Sequence, residues 1–198
     1  MIDSYYRSTY QKIFINPVVR LPLFKEISPN QLTIISLCFG FAILLFSWVS
    51  LPFLAFLSLL LSGYFDTLDG SLAREKEEAS PAGAALDIFC DRAVESLIIL
   101  SLFLQNPQER GLLCILISCS ILLCVTSFLV VGIFSEKNGE KSFHYSPGLM
   151  ERTEAFIFFG LMLLFPSSFF FLAILFSLLT LATGIFRLYQ FNLFSDPK

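Results

Sequence analysis

Four aspartates lie within one short part of an apolar sequence: Asp66 and Asp69 in "GYFDTLDGSLAR" (63–74), Asp87 and Asp91 in "GAALDIFCDRAVE" (83–95). Successive residues on an α-helix turn by about 100°, so Asp66, Asp69, Gly70 and Ala73 share one face. Gly83, Asp87 and Asp91 follow at spacings of four, and Glu95 extends that stripe with a slow drift. A short segment, Glu75 to Ala82, joins the two runs and carries both acidic faces to the same end. A carboxylate inside an apolar span costs roughly 2.5 to 3.5 kcal/mol, and four like charges also repel, so positive charge must sit among them.

Arg74 alone does not balance four acids, whereas two divalent cations supply +4 against −4. Oxygen-only ligation favours Mg2+ or Mn2+, because no His lies on the stripe and Cys90 falls off it. Two ions held by aspartates suit phosphoryl transfer, where they gather phosphate oxygens and offset the charge growing on attacking and leaving groups. Small residues at Gly70, Ala73 and Gly83 leave a slot beside the acids for a flat or elongated group, and Arg74 is placed to hold a phosphate oxygen.

The elements that carry these residues are membrane helices. Of 198 residues 56% are hydrophobic and only 15% charged, a balance that excludes an ordinary soluble domain. No charged residue lies between Glu26 and Asp66, between Arg110 and Glu136, or between Glu154 and Arg187. Each run holds one or two spans of about 20 residues. Ser50-Leu51-Pro52 and Pro166-Ser167-Ser168 divide two of them, which predicts an all-α fold with six transmembrane helices near 31–50, 52–73, 84–105, 111–134, 150–166 and 168–193. Of the 13 Lys and Arg residues only Arg110 then falls on the far side, so both termini and the acidic cluster are expected on the cytoplasmic face of the inner membrane.

Residues 1–27 read as an amphipathic juxtamembrane segment, with Tyr6, Tyr10, Ile13 and Phe14 at helical spacing beside Arg7 and Lys12; residues 28–198 form the six-helix domain. Asp3 and the Tyr5-Tyr6 pair stand where a signal peptide would be basic and then apolar, so no cleaved leader is expected. Ser28-Pro29-Asn30-Gln31 reads as a capped helix start. A net charge of −3 gives no electrostatic case for nucleic acid, and the five cysteines have no metal or disulfide spacing.

The pattern Asp66-x2-Asp69-Gly70-x2-Ala73-Arg74-x8-Gly83-x3-Asp87-x3-Asp91 resembles the complete signature of the CDP-alcohol phosphatidyltransferases. The resemblance implies a membrane enzyme that displaces CMP from a CDP-linked lipid, CDP-diacylglycerol, in favour of an alcohol hydroxyl. It further implies that Asp66, Asp69 and Asp87 hold metal and the CDP pyrophosphate, and that Asp91 shares a metal and acts as general base. Gly70, Ala73 and Gly83 would border the cytidine, and Arg74 would contact phosphate or brace the loop. Relatives of the family are typically homodimers.

For the acceptor, "GLMERTE" is similar to a Gly-x-x-x-Arg-x-Glu stretch of phosphatidylinositol phosphate synthases, in which that arginine and another in the last span receive a phosphate. Arg152 and Arg187 occupy comparable places, although Ala155 stands where those relatives often have a second arginine. The expectation is a phosphorylated polyol, glycerol 3-phosphate first and inositol phosphate as the alternative. Two other classes fit parts of the pattern: a cation transporter using the intramembrane aspartates, and an isoprenoid-type transferase. His144 reads as a solvated loop residue, and Glu95 as a partner of Arg92 or of an acceptor hydroxyl.

Overall fold

A computed structural model describes residues 10–21, 24, 26–137 and 148–195. The chain is helical throughout, with no strand among the described residues. A π-helical turn, Gln11–Ile15, runs into α1 (Asn16–Val19); then follow α2 (Pro29–Trp48), α3 (Pro52–Glu75), α4 (Pro81–Gln105), α5 (Pro107–Lys137), α6 (Arg152–Leu164) and α7 (Phe169–Ser195). Four of these helices, α2, α3, α5 and α7, are long and apolar enough to cross a membrane. The other three differ for visible reasons: α1 has four residues, α4 carries Asp87, Asp91, Arg92 and Glu95, and α6 has only 13 residues.

Local sequence sets the helix ends. Ser28 accepts from Gln31 N at 3.3 Å while Gln31 Oε1 accepts from Ser28 N at 2.8 Å, the reciprocal cap that the sequence predicts. Helices α2 and α3 close with non-glycine residues in the left-handed region, Ser50 at φ 58° and Glu77 at φ 57°. In each, the next amide reaches back five residues, Leu51 N to Phe46 O and Glu78 N to Ala73 O, which satisfies carbonyls that the last turn leaves open. Glu77 thereby reverses the chain between the two acid-bearing helices.

Helix α2 packs along both α3 and α4, and α5 pairs with α7; α6 bridges the groups through α3 and α7. The main core is built from Ile43, Leu59, Ile98, Ile117, Phe159, Met162 and Phe176, while Trp48, Phe53, Leu112 and Phe171 face outward. Between α2 and α3 the contact is polar but closed: Ser36 Oγ donates to Ser62 O at 2.9 Å and Ser62 Oγ donates to Ser36 O at 3.0 Å. Small hydroxyl residues let membrane helices approach closely without stranding a donor.

A second core, Ile15, Val19, Phe24, Leu32, Leu68 and Leu72, docks the amino-terminal segment onto the acidic end of α2 and α3. Tyr64 Oη donates to Phe14 O at 3.3 Å, and Lys76 Nζ to Ile27 O at 2.7 Å. Tyr10, Ile13 and Phe14 stay exposed beside this seam, so the described part of the leader has one docked face and one apolar outer face. Tyr6 and Arg7 lie outside the described residues.

Candidate active site

The acids arrive from two antiparallel helices. Asp66 and Asp69 lie on the last three turns of α3 and are buried at 9% and 4% exposure; Asp87 and Asp91 lie on the first three turns of α4 and are partly covered. Ser80 caps α4 by accepting from Gly83 N at 3.1 Å, with Pro81 in the first turn, so the helix starts where the stripe needs it. Carboxylate oxygens of Asp66, Asp69 and Asp87 lie within 4.8 Å of one another.

The four acids are not equally partnered. Thr33 Oγ1, from α2, donates to Asp69 Oδ2 at 2.5 Å. One guanidinium nitrogen of Arg152, at the start of α6, lies 2.5 Å from Asp66 Oδ1 and 2.5 Å from Asp91 Oδ1. Asp87 Oδ1 is buried and has no hydrogen-bond partner among the described residues. An unpartnered buried carboxylate oxygen facing two more carboxylates is an electrostatic deficit that a hard cation would satisfy. The donor set is oxygen only, so these residues fit Mg2+ or Mn2+.

Gly70 and Gly83 differ in the room beside them. A Cβ built on Gly70 meets nothing nearer than an Arg74 Nη at 3.6 Å, so the space beside Asp69 is open. On Gly83 a Cβ would approach Ser80 Oγ and Asn30 Oδ1 at 3.2 and 3.3 Å, so α2 reaches this rim of the site as well. Arg74 is exposed, and its Nη2 donates to Ser71 Oγ at 3.1 Å on its own helix. Glu95 pairs with Arg92 at 2.6 Å.

The two arginines expected at an acceptor phosphate are not equivalent. Arg152 joins the acidic cluster itself. Arg187, on α7, donates to Cys124 O at 3.1 Å and Ser127 Oγ at 3.2 Å and lies 5.3 Å from the Phe128 ring centre. Its hydrogen bonds run to neutral acceptors only among the described residues, so its charge is uncommitted. His144 and Lys141 lie outside the described residues. Sequence reasoning did not single out Thr33, whose only signal was a hydroxyl in an apolar helix, nor the pairing of Arg152 with Asp66 and Asp91. Both bonds cross between helices and join residues 36 or more positions apart.

Comparison with known proteins agrees with this architecture. A family model described as CDP-alcohol phosphatidyltransferase matches residues 26–189. Inner membrane protein YnjF of Escherichia coli is 31% identical over 150 residues, covering 72% of each chain. The phosphatidylinositol phosphate synthase of Corynebacterium glutamicum is 29% identical over 148 residues, 74% of this chain and 67% of that one. The crystal structure of Mycobacterium tuberculosis phosphatidylinositol phosphate synthase with CDP-DAG bound superposes with a TM-score of 0.65 at 22% identity, over 88% of this chain and 92% of the other, and so shares the fold.

Proposed function

Because the chain belongs to the CDP-alcohol phosphatidyltransferase family, we propose that it moves a phosphatidyl group from CDP-diacylglycerol to the hydroxyl of a phosphorylated polyol and releases CMP. The observation that carries this reading is the convergence of Asp66, Asp69 and Asp87 within 4.8 Å, with Asp91 brought to Asp66 through one Arg152 nitrogen.

Asp66, Asp69 and Asp87 would hold divalent metal for the CDP pyrophosphate, and Asp91 would contribute to a second ion. When bound, these ions draw charge from the phosphate oxygens and from the departing CMP. Asp91 takes the acceptor's hydroxyl proton onto a carboxylate oxygen as the new P–O bond forms and the bond to CMP breaks. Gly70, Ala73 and Gly83 leave room for the cytidine, and Arg74 braces its rim or meets a phosphate oxygen. Arg187, whose hydrogen bonds run to neutral groups, supplies positive charge for the acceptor's phosphate, and Arg152 does so once it leaves the carboxylates.

Glycerol 3-phosphate is placed first as the commonest phosphorylated acceptor among bacterial members of the family. Inositol phosphate is the second reading, favoured by the two phosphatidylinositol phosphate synthases among the relatives. Ala155 weighs against it, since an alanine supplies no second guanidinium there. In the membrane, α4 and α6 complete a six-span bundle, because Asp91 and Glu95 of α4 turn toward the cavity they share with Ser36, Ser62 and Arg152 of α2, α3 and α6, and α6 packs between α3 and α7. Residues 1–27 then lie at the headgroup layer, and 28–198 form the catalytic domain of a homodimer with the acids and both termini on the cytoplasmic side.

The test is release of CMP by the purified protein from CDP-diacylglycerol with Mg2+ or Mn2+ across a panel holding glycerol 3-phosphate, inositol phosphate, inositol, serine and an isoprenyl diphosphate. CMP release with one phosphorylated polyol, confirmed by the mass of the lipid product, supports the reading. No release with any acceptor sinks it, and metal flux into proteoliposomes that survives saturating CDP-diacylglycerol points to a transporter instead. Arg187→Ala is expected to raise the KM for the phosphorylated acceptor and leave that for CDP-diacylglycerol nearly unchanged.

A further inference from the structure

The positive charge in the acidic cluster comes from the protein itself, and its position is informative. A single nitrogen of Arg152 is shared by Asp66 of α3 and Asp91 of α4, at 2.5 Å from each. A bare cation bridging those two carboxylates would need the same space, and like charges at that separation repel strongly. The group formed by Asp66, Asp69 and Asp87 shares Asp66 with that pair, but its other two members are not bonded to Arg152: Asp69 is held by neutral Thr33, and Asp87 Oδ1 has no partner among the described residues. The cluster thus offers one cation position without displacing Arg152 and a second only when Arg152 leaves.

We propose that Arg152 is a tethered counter-ion that occupies the second cation position, so that filling this position and freeing Arg152 for an anionic acceptor are one event. The proposal rests on the metal-dependent reading given above. Three features equip Arg152 for the exchange. Its side chain is 41% exposed, which leaves a path outward. It sits on the first residue of α6, just after a backbone anchored by Met150 N donating to Thr183 Oγ1 at 2.9 Å, so only the side chain needs to move. Glu95 lies on the same small cavity as Asp91 and Arg152 but is already claimed by Arg92 at 2.6 Å, so it does not hold Arg152 back. Once free, a guanidinium in a low-dielectric setting needs an anion, and a phosphate presents matched oxygens for it. The second ion and the acceptor's phosphate therefore strengthen each other's binding, and by thermodynamic linkage they do so by the same factor.

Counting Mn2+ by electron paramagnetic resonance on the purified protein tests this without turnover. The wild type is expected to bind one ion tightly and a second more weakly by about tenfold or more, within the usual range of such coupling. Arg152→Gln is expected to bind two ions with similar affinity. Glycerol 3-phosphate or inorganic phosphate should tighten the second ion in the wild type and leave Arg152→Gln unchanged. Equal second-ion affinity in the two proteins overturns the proposal, as does a phosphate effect that persists in the variant. If Arg152→Gln does not survive purification, the wild-type phosphate titration decides alone: no tightening, no exchange. Two tight ions in the wild type with no phosphate effect leave the metal-dependent transferase standing and remove only the exchange, whereas no Mn2+ bound to either protein removes both.

Discussion

Thr33 Oγ1 donates to Asp69 Oδ2 at 2.5 Å, a bond between residues 36 apart that fixes one carboxylate of the cluster from a helix carrying no acid. Thr33 is 3% exposed, so water does not replace the hydroxyl. Thr33→Val keeps the shape but leaves Asp69 Oδ2 unpaired and free to rotate. Outer partners of metal ligands are typically worth 10- to 100-fold in affinity or activity, so Mn2+ affinity and CMP release are expected to fall by about tenfold or more. Thr33→Ser should retain most of both. A valine variant that binds Mn2+ like the wild type would show that Asp69 needs no support.

Asp91→Asn removes a proton acceptor while keeping an oxygen for Arg152. If Asp91 is the general base, CMP release should drop by roughly 10²- to 10⁴-fold. Binding of CDP-diacylglycerol, measured separately, should change far less. Chelation of divalent metal should stop the wild type altogether, with activity restored by Mg2+ or Mn2+. Activity that persists in chelator would contradict the oxygen-rich site as the seat of chemistry.

Gly70→Ala separates the substrate role of a small residue from its structural role. The added Cβ meets only the end of Arg74 at 3.6 Å, and alanine is favoured over glycine inside a helix by about 1 kcal/mol. The variant should therefore melt at or above the wild-type temperature. Its KM for CDP-diacylglycerol should rise, because the methyl group enters the slot assigned to the nucleotide. A variant with unchanged kinetics would place the nucleotide elsewhere.

Arg110 is the opposite kind of arginine. Buried at 8% exposure, it donates to Gln105 Oε1 at 2.5 Å and to Leu102 O and Pro166 O at 3.3 Å, over the Phe169 ring at 4.4 Å. Gln105 Nε2 in turn donates to Ser47 Oγ at 2.8 Å, so this network knits α2, α4, α5 and the turn before α7. Asp91 and Gln105 are 14 residues apart on α4, about 20 Å along the axis. Arg110→Ala is expected to cost about 2–4 kcal/mol through unsatisfied carbonyls and lost packing, read as a lower melting temperature in detergent. Turnover per folded molecule should be unaffected.

Much of the architecture is written locally. The breaks at Ser50-Leu51-Pro52 and Pro166 separate helices because proline cannot donate to the preceding turn, and Ser28 with Gln31 closes the start of α2 through bonds spanning three residues. The convergence of the acids is only partly local: helical periodicity puts each pair on one face and a five-residue turn reverses the chain, but α3 and α4 are brought together by α2, which packs along both. Less legible were the left-handed Ser50 and Glu77, positions where glycine is the usual sign.

What the sequence determined alone was therefore which residues face together within each helix, and hence that Asp66, Asp69, Asp87 and Asp91 could meet. What only the tertiary structure decided was which charge and which hydroxyl reach them. Arg152 and Arg187 are matched by the sequence to the same task, an acceptor's phosphate, yet one binds Asp66 and Asp91 while the other rests on α5. The difference arises where α6 meets α3: the Phe156 ring lies 2.8 Å from where a Cβ on Gly63 would be, so only the bare backbone of Gly63 lets the two helices close to this distance. That approach puts Arg152 over the acids. Helical periodicity fixes direction within one element, but the depth and angle at which elements meet depend on packing surfaces far apart in the chain.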